Sequence, residues 1–296
     1  MTQLHGILPA LITPFDEAGN FNAKSCERLL ERLYDADVHG VYVCGTTGEG
    51  LLQTVAQRKT VAECVLHNSP KDRQVMVHVG AACLSEAIEL ARHAAQHGAA
   101  SISSLPPAGF YSFAEVAAYY RALAESTDLP LLIYFMPAGG GAISTVTQML
   151  ELCALPNVRG LKFTDHDFYK LSLLKESGAT IFNGYDEVLC AGLLMGADGG
   201  IGSFYNLVPE LFVKLYTQTQ AGQWAEARAT QRRINELITI TLRFPMFGAI
   251  KTMLGWSGID CGTVLPPRRN LTADEARELQ RQLAQSVFAD AAFARS

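Results

Sequence analysis

The 296-residue chain lacks most of the short signatures that announce a chemistry. It has no Walker A run and no G-x-G-x-x-G after its first apolar segment, which argues against a P-loop or dinucleotide fold. It has no G-x-S-x-G elbow to present a nucleophilic serine. Its seven cysteines, Cys26, Cys44, Cys64, Cys83, Cys153, Cys190 and Cys261, are odd in number and form no C-x-x-C pair. That pattern excludes a disulfide framework and a clustered Cys/His metal set, and reads as small core residues in a reducing compartment. Positive charge is also short, with 24 Lys and Arg against 29 Asp and Glu, for a net charge of -5. Such a balance weighs against nucleic acid or an anionic membrane as partner. The opening "MTQLHGILPALITPFDEAG" has no basic region and Pro9 interrupts its apolar run, so neither a signal peptide nor a membrane span is expected. The expected location is cytoplasmic.

What is present is globular composition, 49% apolar and 18% charged, enough to bury a sizeable core. Short runs rich in Val, Ile, Leu and Ala alternate with segments of helical period. Eight such runs read as strands: "GILPALI" from Gly6, "GVYVCG" from Gly40, "VMVHVG" from Val75, "ASISSL" from Ala100, "PLLIYF" from Pro130, "VRGLKF" from Val158, "ATIFNG" from Ala179 and "ADGGIG" from Ala197. Capping-box patterns at Ser112/Glu115, Thr145/Gln148 and Thr272/Glu275 mark helix starts, and Gly98 marks a helix end. Eight strands each followed by a helix outline an α/β protein of (β/α)8 TIM-barrel type, with a doubly wound open sheet as the rival. After Tyr205 only helical segments follow, three of them. The expected organisation is a barrel over residues 1–220 and a C-terminal helical extension over 221–296, packed on the barrel.

In a barrel, strand side chains alternate between the interior and the surrounding helices. In the sixth strand Leu161 and Phe163 suit the helix-facing layer, so Lys162 and Thr164 point inward near the C-terminal mouth. In the fifth, Leu132 and Tyr134 point inward. Burial disfavours a charged amine, and a neutral amine can attack a carbonyl to form a Schiff base. The alternative is a lysine that reaches water or pairs with Asp165 or Asp186. Other strand ends offer "GTTGEG" from Gly45, a set of N–H and hydroxyl groups suited to a carboxylate, or else a plain turn. "NGYDE" from Asn183 supplies two adjacent acids for substrate hydroxyls or for a helix cap. "GGIGSFYN" from Gly199 suits a polar-ligand cradle or close backbone packing. His93 and His97, spaced i, i+4, read as a solvated helix face, since no H-E-x-x-H supplies an acidic partner. His5 and His78 read as satisfied core or mouth residues.

Together "GTTGE", "YFMP", "GLKFTD", "GYDE" and "GADGGIGSFYN" resemble, in order and at successive strand ends, the pyruvate-dependent class I aldolase family of N-acetylneuraminate lyase and dihydrodipicolinate synthase, closer to the lyase branch. The resemblance implies that Lys162 is the Schiff-base lysine and Tyr134 the proton shuttle, with Thr47 completing the catalytic set. It implies that Thr46 and Thr47 hold the pyruvate carboxylate, and that Thr164, Gly184, Asp186, Glu187, Gly202 and Ser203 contact the polyhydroxylated part of a sugar acid. The implied activity is reversible cleavage of a sialic-acid-like or 2-keto-3-deoxy sugar acid to pyruvate and an aldehyde. Alternatives are a dehydratase or deaminase using the same lysine, or 4-hydroxy-tetrahydrodipicolinate synthase. No cofactor or metal is implied, because the iminium serves as the electron sink. The implied partners are a small 2-keto acid and further copies of the chain in a homotetramer, a dimer of dimers, with neither nucleic acid nor membrane. Two departures stand out. "PAGGGA" from Pro137 carries no arginine of the synthase type, and "PPAGFYS" from Pro106 has Ala108 and Gly109 where the family has the aromatic and tyrosine donated to a neighbouring subunit. Tyr111 is the candidate substitute.

Overall fold

A computed structural model describes residues 4–137 and 142–294. The eight apolar runs all form strands: β1 (Gly6–Pro9), β2 (Gly40–Val43), β3 (Gln74–His78), β4 (Ser101–Ser104), β5 (Leu131–Phe135), β6 (Val158–Phe163), β7 (Thr180–Asn183) and β8 (Gly199–Gly202). They pair in parallel, β2 through β8 in sequence and β8 with β1. Closure between β1 and β2 rests on two backbone hydrogen bonds, His39 N–H to Ile7 O at 3.0 Å and Leu11 N–H to Tyr42 O at 2.8 Å. The sheet is therefore a barrel, and the open-sheet alternative is excluded.

Between the strands run α1 (Ala23–Asp35), α2 (Val55–Asn68), α3 (Leu84–Gln96), α4 (Phe113–Ala124), α5 (Val146–Cys153), α6 (Phe168–Glu176) and α7 (Leu189–Leu194), with α8 (Pro209–Gln220) after β8. Their starts follow local chemistry. Asn22 caps α1 by accepting from Ser25 N–H, and full capping boxes open α4 and α5. In α1, Cys26, Leu29, Leu30 and Leu33 recur at helical spacing and bury one stripe against the sheet. Beyond α8 come α9 (Trp224–Thr241), α10 (Met246–Trp256) and α11 (Ala273–Ala284). The sequence pattern contains α8, α9 and α11 but misses α10, whose apolar residues are spread around the helix instead of forming a stripe. No single described helix is long and apolar enough to cross a membrane.

Strand alternation sorts the core into two layers. Ile133, Phe135, Leu161 and Phe163 face the helices in the larger cluster. Leu8, Tyr42, Met76, Leu132, Tyr134, Phe182 and Ile201 fill the barrel interior. Removing such side chains from water stabilises the fold by roughly 1.5–3 kcal/mol for each large one. His78 also lies inside, fully buried, and its Nε2 accepts from Leu105 N–H at 3.1 Å. His5 is exposed and precedes β1, at the end of the barrel opposite the mouth, contrary to its reading as a core or mouth residue.

Candidate active site

Register, not proximity in sequence, brings the reactive pair together. Tyr134 on β5 is directly opposite Lys162 on β6. Both point inward, both are almost fully buried, and Lys162 Nζ lies 3.8 Å from the centre of the Tyr134 ring and 4.8 Å from that of Tyr42. The alternative salt bridge to Asp165 does not form: that carboxylate turns to Lys170, 3.5 Å away. Burial pushes the Tyr134 phenol up. The charge of Lys162 and polar contacts from Lys162, Thr46 and Thr164 outweigh it and leave the phenol below its ordinary value. A phenol so biased is suited to proton relay. Thr164 Oγ1 is buried and faces the cavity, with only its loose approach to the phenol and no regular hydrogen bond among the described residues, a group left for a ligand to satisfy.

All ten residues singled out in the sequence line one cavity of about 310 Å³ at the barrel mouth: Thr46, Thr47, Tyr134, Lys162, Thr164, Gly184, Asp186, Glu187, Gly202 and Ser203. Thr47 Oγ1 and Ser203 Oγ are 2.7 Å apart and tie the loop after β2 to the end of β8. The β2 loop is held from below by a buried ionic cluster that the motifs do not announce. Glu49, in left-handed backbone at φ 57°, pairs with Lys251 of α10 at 2.9 Å and accepts from Leu265 N–H at 2.7 Å. Arg268 lies 3.7 Å from the same carboxylate and donates to Thr46 O at 2.9 Å. Burial lowers the Lys251 amine below its ordinary value despite the attraction of Glu49.

Asp186 and Glu187 begin a short 3-10 turn, Asp186–Val188, after β7. Burial, with the neighbouring Glu187 charge, pushes the Asp186 carboxyl up to about 7, although Phe204 N–H donates to its Oδ2 at 2.7 Å. The backbone here is crowded. A Cβ on Gly202 would sit 1.9 Å from Asp186 Oδ1, and one on Gly184 1.9 Å from Thr164 Oγ1, so both positions need glycine for close approach. Glu187 is more open; His166 Nε2 lies 3.8 Å from its Oε1, and the His166 ring stacks on Tyr185 at 4.3 Å.

Sequence motifs missed the far wall. Met136, Ile238, Leu242, Met246 and Phe247 close the cavity with apolar surface, four of them from α9, α10 and the link between these helices. Met136 falls within "YFMP", but the other four carry no signal beyond apolar character, which marks core positions everywhere. The stretch Gly139 to Gly141 lies outside the described residues. A larger groove of about 590 Å³ runs between α9 and α11, but its lining is dispersed Arg, Gln and Glu without a buried reactive group.

A closed (β/α)8 barrel that sets a buried lysine amine against a phenol at its C-terminal mouth defines a class: the lyases that work through a Schiff base, the class I aldolases. Comparison supplies the family. Residues 3–286 match the Dihydrodipicolinate synthetase family, and the chain belongs to it. The N-acetylneuraminate lyase of Rhizobium meliloti is 34% identical over 286 residues, 95% of each chain. That of Citrobacter koseri is 33% identical over 290 residues, covering 95% of this chain and 98% of the other. Among solved structures, the Ruminococcus gnavus sialic acid aldolase superposes with a TM-score of 0.87 at 30% identity, over 96% of this chain and 99% of that one. A Clostridium difficile protein in complex with mannosamine gives a TM-score of 0.92 at 29% identity, over 96% and 100%.

Proposed function

We propose that this protein reversibly cleaves a sialic-acid-like or 2-keto-3-deoxy sugar acid to pyruvate and an aldehyde. The observation that carries the reading is the Lys162–Tyr134 pair, 3.8 Å from amine to ring centre, in a mouth whose remaining polar wall consists of hydroxyls and two acids. Lys162 Nζ attacks the C2 carbonyl carbon, and loss of water leaves an iminium. Thr46 and Thr47 hold the adjacent carboxylate. Tyr134 accepts the proton of the C4 hydroxyl, the C3–C4 bond breaks, and its electron pair passes into the iminium to give an enamine and a free aldehyde. Protonation at C3 and hydrolysis release pyruvate and restore the amine.

Thr164, Asp186, Glu187 and Ser203, with the backbone at Gly184 and Gly202, receive the hydroxylated remainder. A site of paired hydrogen-bond partners discriminates strongly against analogues that lack the hydroxyls. The test is reductive trapping. Borohydride with pyruvate is expected to add one pyruvyl mass at Lys162, and an unmodified Lys162 peptide overturns the reading. Tyr134→Phe is expected to keep that trapping while lowering kcat about 10²- to 10⁴-fold. Appearance of an aldehyde beside pyruvate separates cleavage from dehydration.

The barrel is assigned to residues 1–220 and the extension to 221–296. The free cysteines fit a reducing cytoplasm, which fractionation tests. A homotetramer is supported by exposed Leu51, Phe110 and Tyr111 beside a second cavity of about 460 Å³, which shares Thr46 and Met136 with the mouth. Apolar surface of this kind marks contact with another chain, here a second copy that brings Tyr111 toward the mouth. Sedimentation equilibrium is expected to give four chains; a monomer at micromolar concentration counts against it.

A further inference from the structure

His93 and His97 are one helical turn apart on α3, which places their side chains on one face. Their ring centres are 4.4 Å apart and tilted by 33°. No H-E-x-x-H is present and Glu89, one turn before His93, is paired with Lys59, but α2 packs beside α3 and supplies an acid. Glu63 Oε1 lies 2.7 Å from His93 Nε2 and 3.9 Å from His97 Nε2. One oxygen and two Nε2 atoms thus converge within 4.8 Å of one another.

We propose that Glu63, His93 and His97 form a binding site for a borderline divalent transition ion of the zinc class, separate from the barrel mouth. A plain ion pair accounts for His93 and Glu63. It does not account for His97, which faces the same oxygen from beyond hydrogen-bond distance. An ion at the centre accounts for all three groups. With metal–ligand bonds of about 2.0–2.2 Å, tetrahedral ligands sit about 3.3 Å apart, between the two separations seen here. Glu63 and His97 are exposed enough to adjust, while half-buried His93 anchors the set. Two imidazoles and a carboxylate select zinc, copper or nickel over magnesium or calcium. The neighbouring cation Lys59 is engaged by Glu89, so its ammonium is held against another acid. The remaining coordination positions face solvent and take water. A bound ion would staple α2 to α3 and favour the folded chain by mass action.

The experiment uses the full chain, stripped with chelator and titrated with zinc chloride by calorimetry, followed by thermal unfolding with and without zinc. Expected are about one equivalent per chain, a rise in Tm with zinc, and no rise with magnesium. Glu63→Gln, His97→Ala and the double variant H93A/H97A are each expected to weaken zinc by on the order of tenfold or more and to lose the Tm rise. Borohydride trapping of pyruvate, unchanged in these variants, confirms that they fold. Absence of zinc binding, affinity unchanged in the double variant, or an equal response to magnesium overturns the proposal.

Discussion

Asp186 shows what burial in the wall of the cavity costs a single residue. Buried beside Glu187, its carboxyl is pushed up to about 7, against 3.8 for an ordinary aspartate. In the unfolded chain it ionises near 4, so between about 4 and 7 the folded state holds a proton that the unfolded state has lost. Stability from this group is therefore complete below about 4 and declines as pH rises to about 7. Asp186→Asn removes that slope. Relative to wild type, the variant is expected to gain about 2–3 kcal/mol in unfolding free energy on going from pH 5 to pH 8. Urea denaturation of both proteins at the two pH values checks this, and a constant difference would mean that Asp186 titrates normally. At pH 8, where the carboxylate is charged, the same change is expected to raise KM for the sugar acid about tenfold, because a charged acceptor becomes neutral. Legibility at this scale divides by chemistry. Lys162 and Asp186 stand out in the sequence because reactive groups at strand ends are conspicuous. Ile238, Leu242 and Phe247 do not, because they contribute only shape.

At the scale of elements, all eight strands and the three capping boxes are readable, because alternation and capping are local rules. Helix α10 is not. "MFGAIKTMLGW" is apolar on most sides, as befits a helix enclosed by neighbours, and leaves no periodic stripe to detect. Its one cation, Lys251, is buried against Glu49 of the β2 loop at 2.9 Å, and donates to Thr263 O. Breaking such a pair strands a charge in low dielectric. Lys251→Met is expected to cost about 3–5 kcal/mol of stability, whereas the double variant E49Q/K251M recovers much of it. Because Arg268 reaches both Glu49 and Thr46 O, the single variant is also expected to raise the pyruvate concentration needed for half-maximal trapping. Denaturant titration of the single and double variants decides. Single and double variants both within about 1 kcal/mol of wild type would show that the ion pair does not hold the loop.

Across the whole molecule, the C-terminal helices act on the mouth from outside the barrel. Gln231 on α9 donates to Asp186 O at 3.0 Å and accepts from Cys190 N–H at 2.9 Å. One turn further, Asn235 donates to Glu187 O at 2.9 Å, and its Oδ1 accepts from Gln231 at 2.8 Å. The two carbonyls so held belong to the two acids of the site, forty or more residues earlier in the chain. Such long-range support leaves no local trace in sequence, where Gln231 and Asn235 read as ordinary helix residues. If α9 sets the acids and not the lysine, its effects must divide by substrate portion. Gln231→Ala and Asn235→Ala each remove the bond to one acid's carbonyl and the bond between the two side chains, about 0.5–1.5 kcal/mol apiece, and Gln231→Ala also frees Cys190 N–H. Each is expected to raise KM for the sugar acid three- to tenfold while leaving the rate of pyruvate trapping at Lys162 unchanged. Gln231→Glu keeps the acceptor for Cys190 N–H but loses the donor to Asp186 O, so it should behave like the alanine variant. Parallel measurement of KM and trapping rate checks the division: equal losses in both would place α9 under the entire barrel mouth, and no loss in either would make its contacts with the acids incidental to the site.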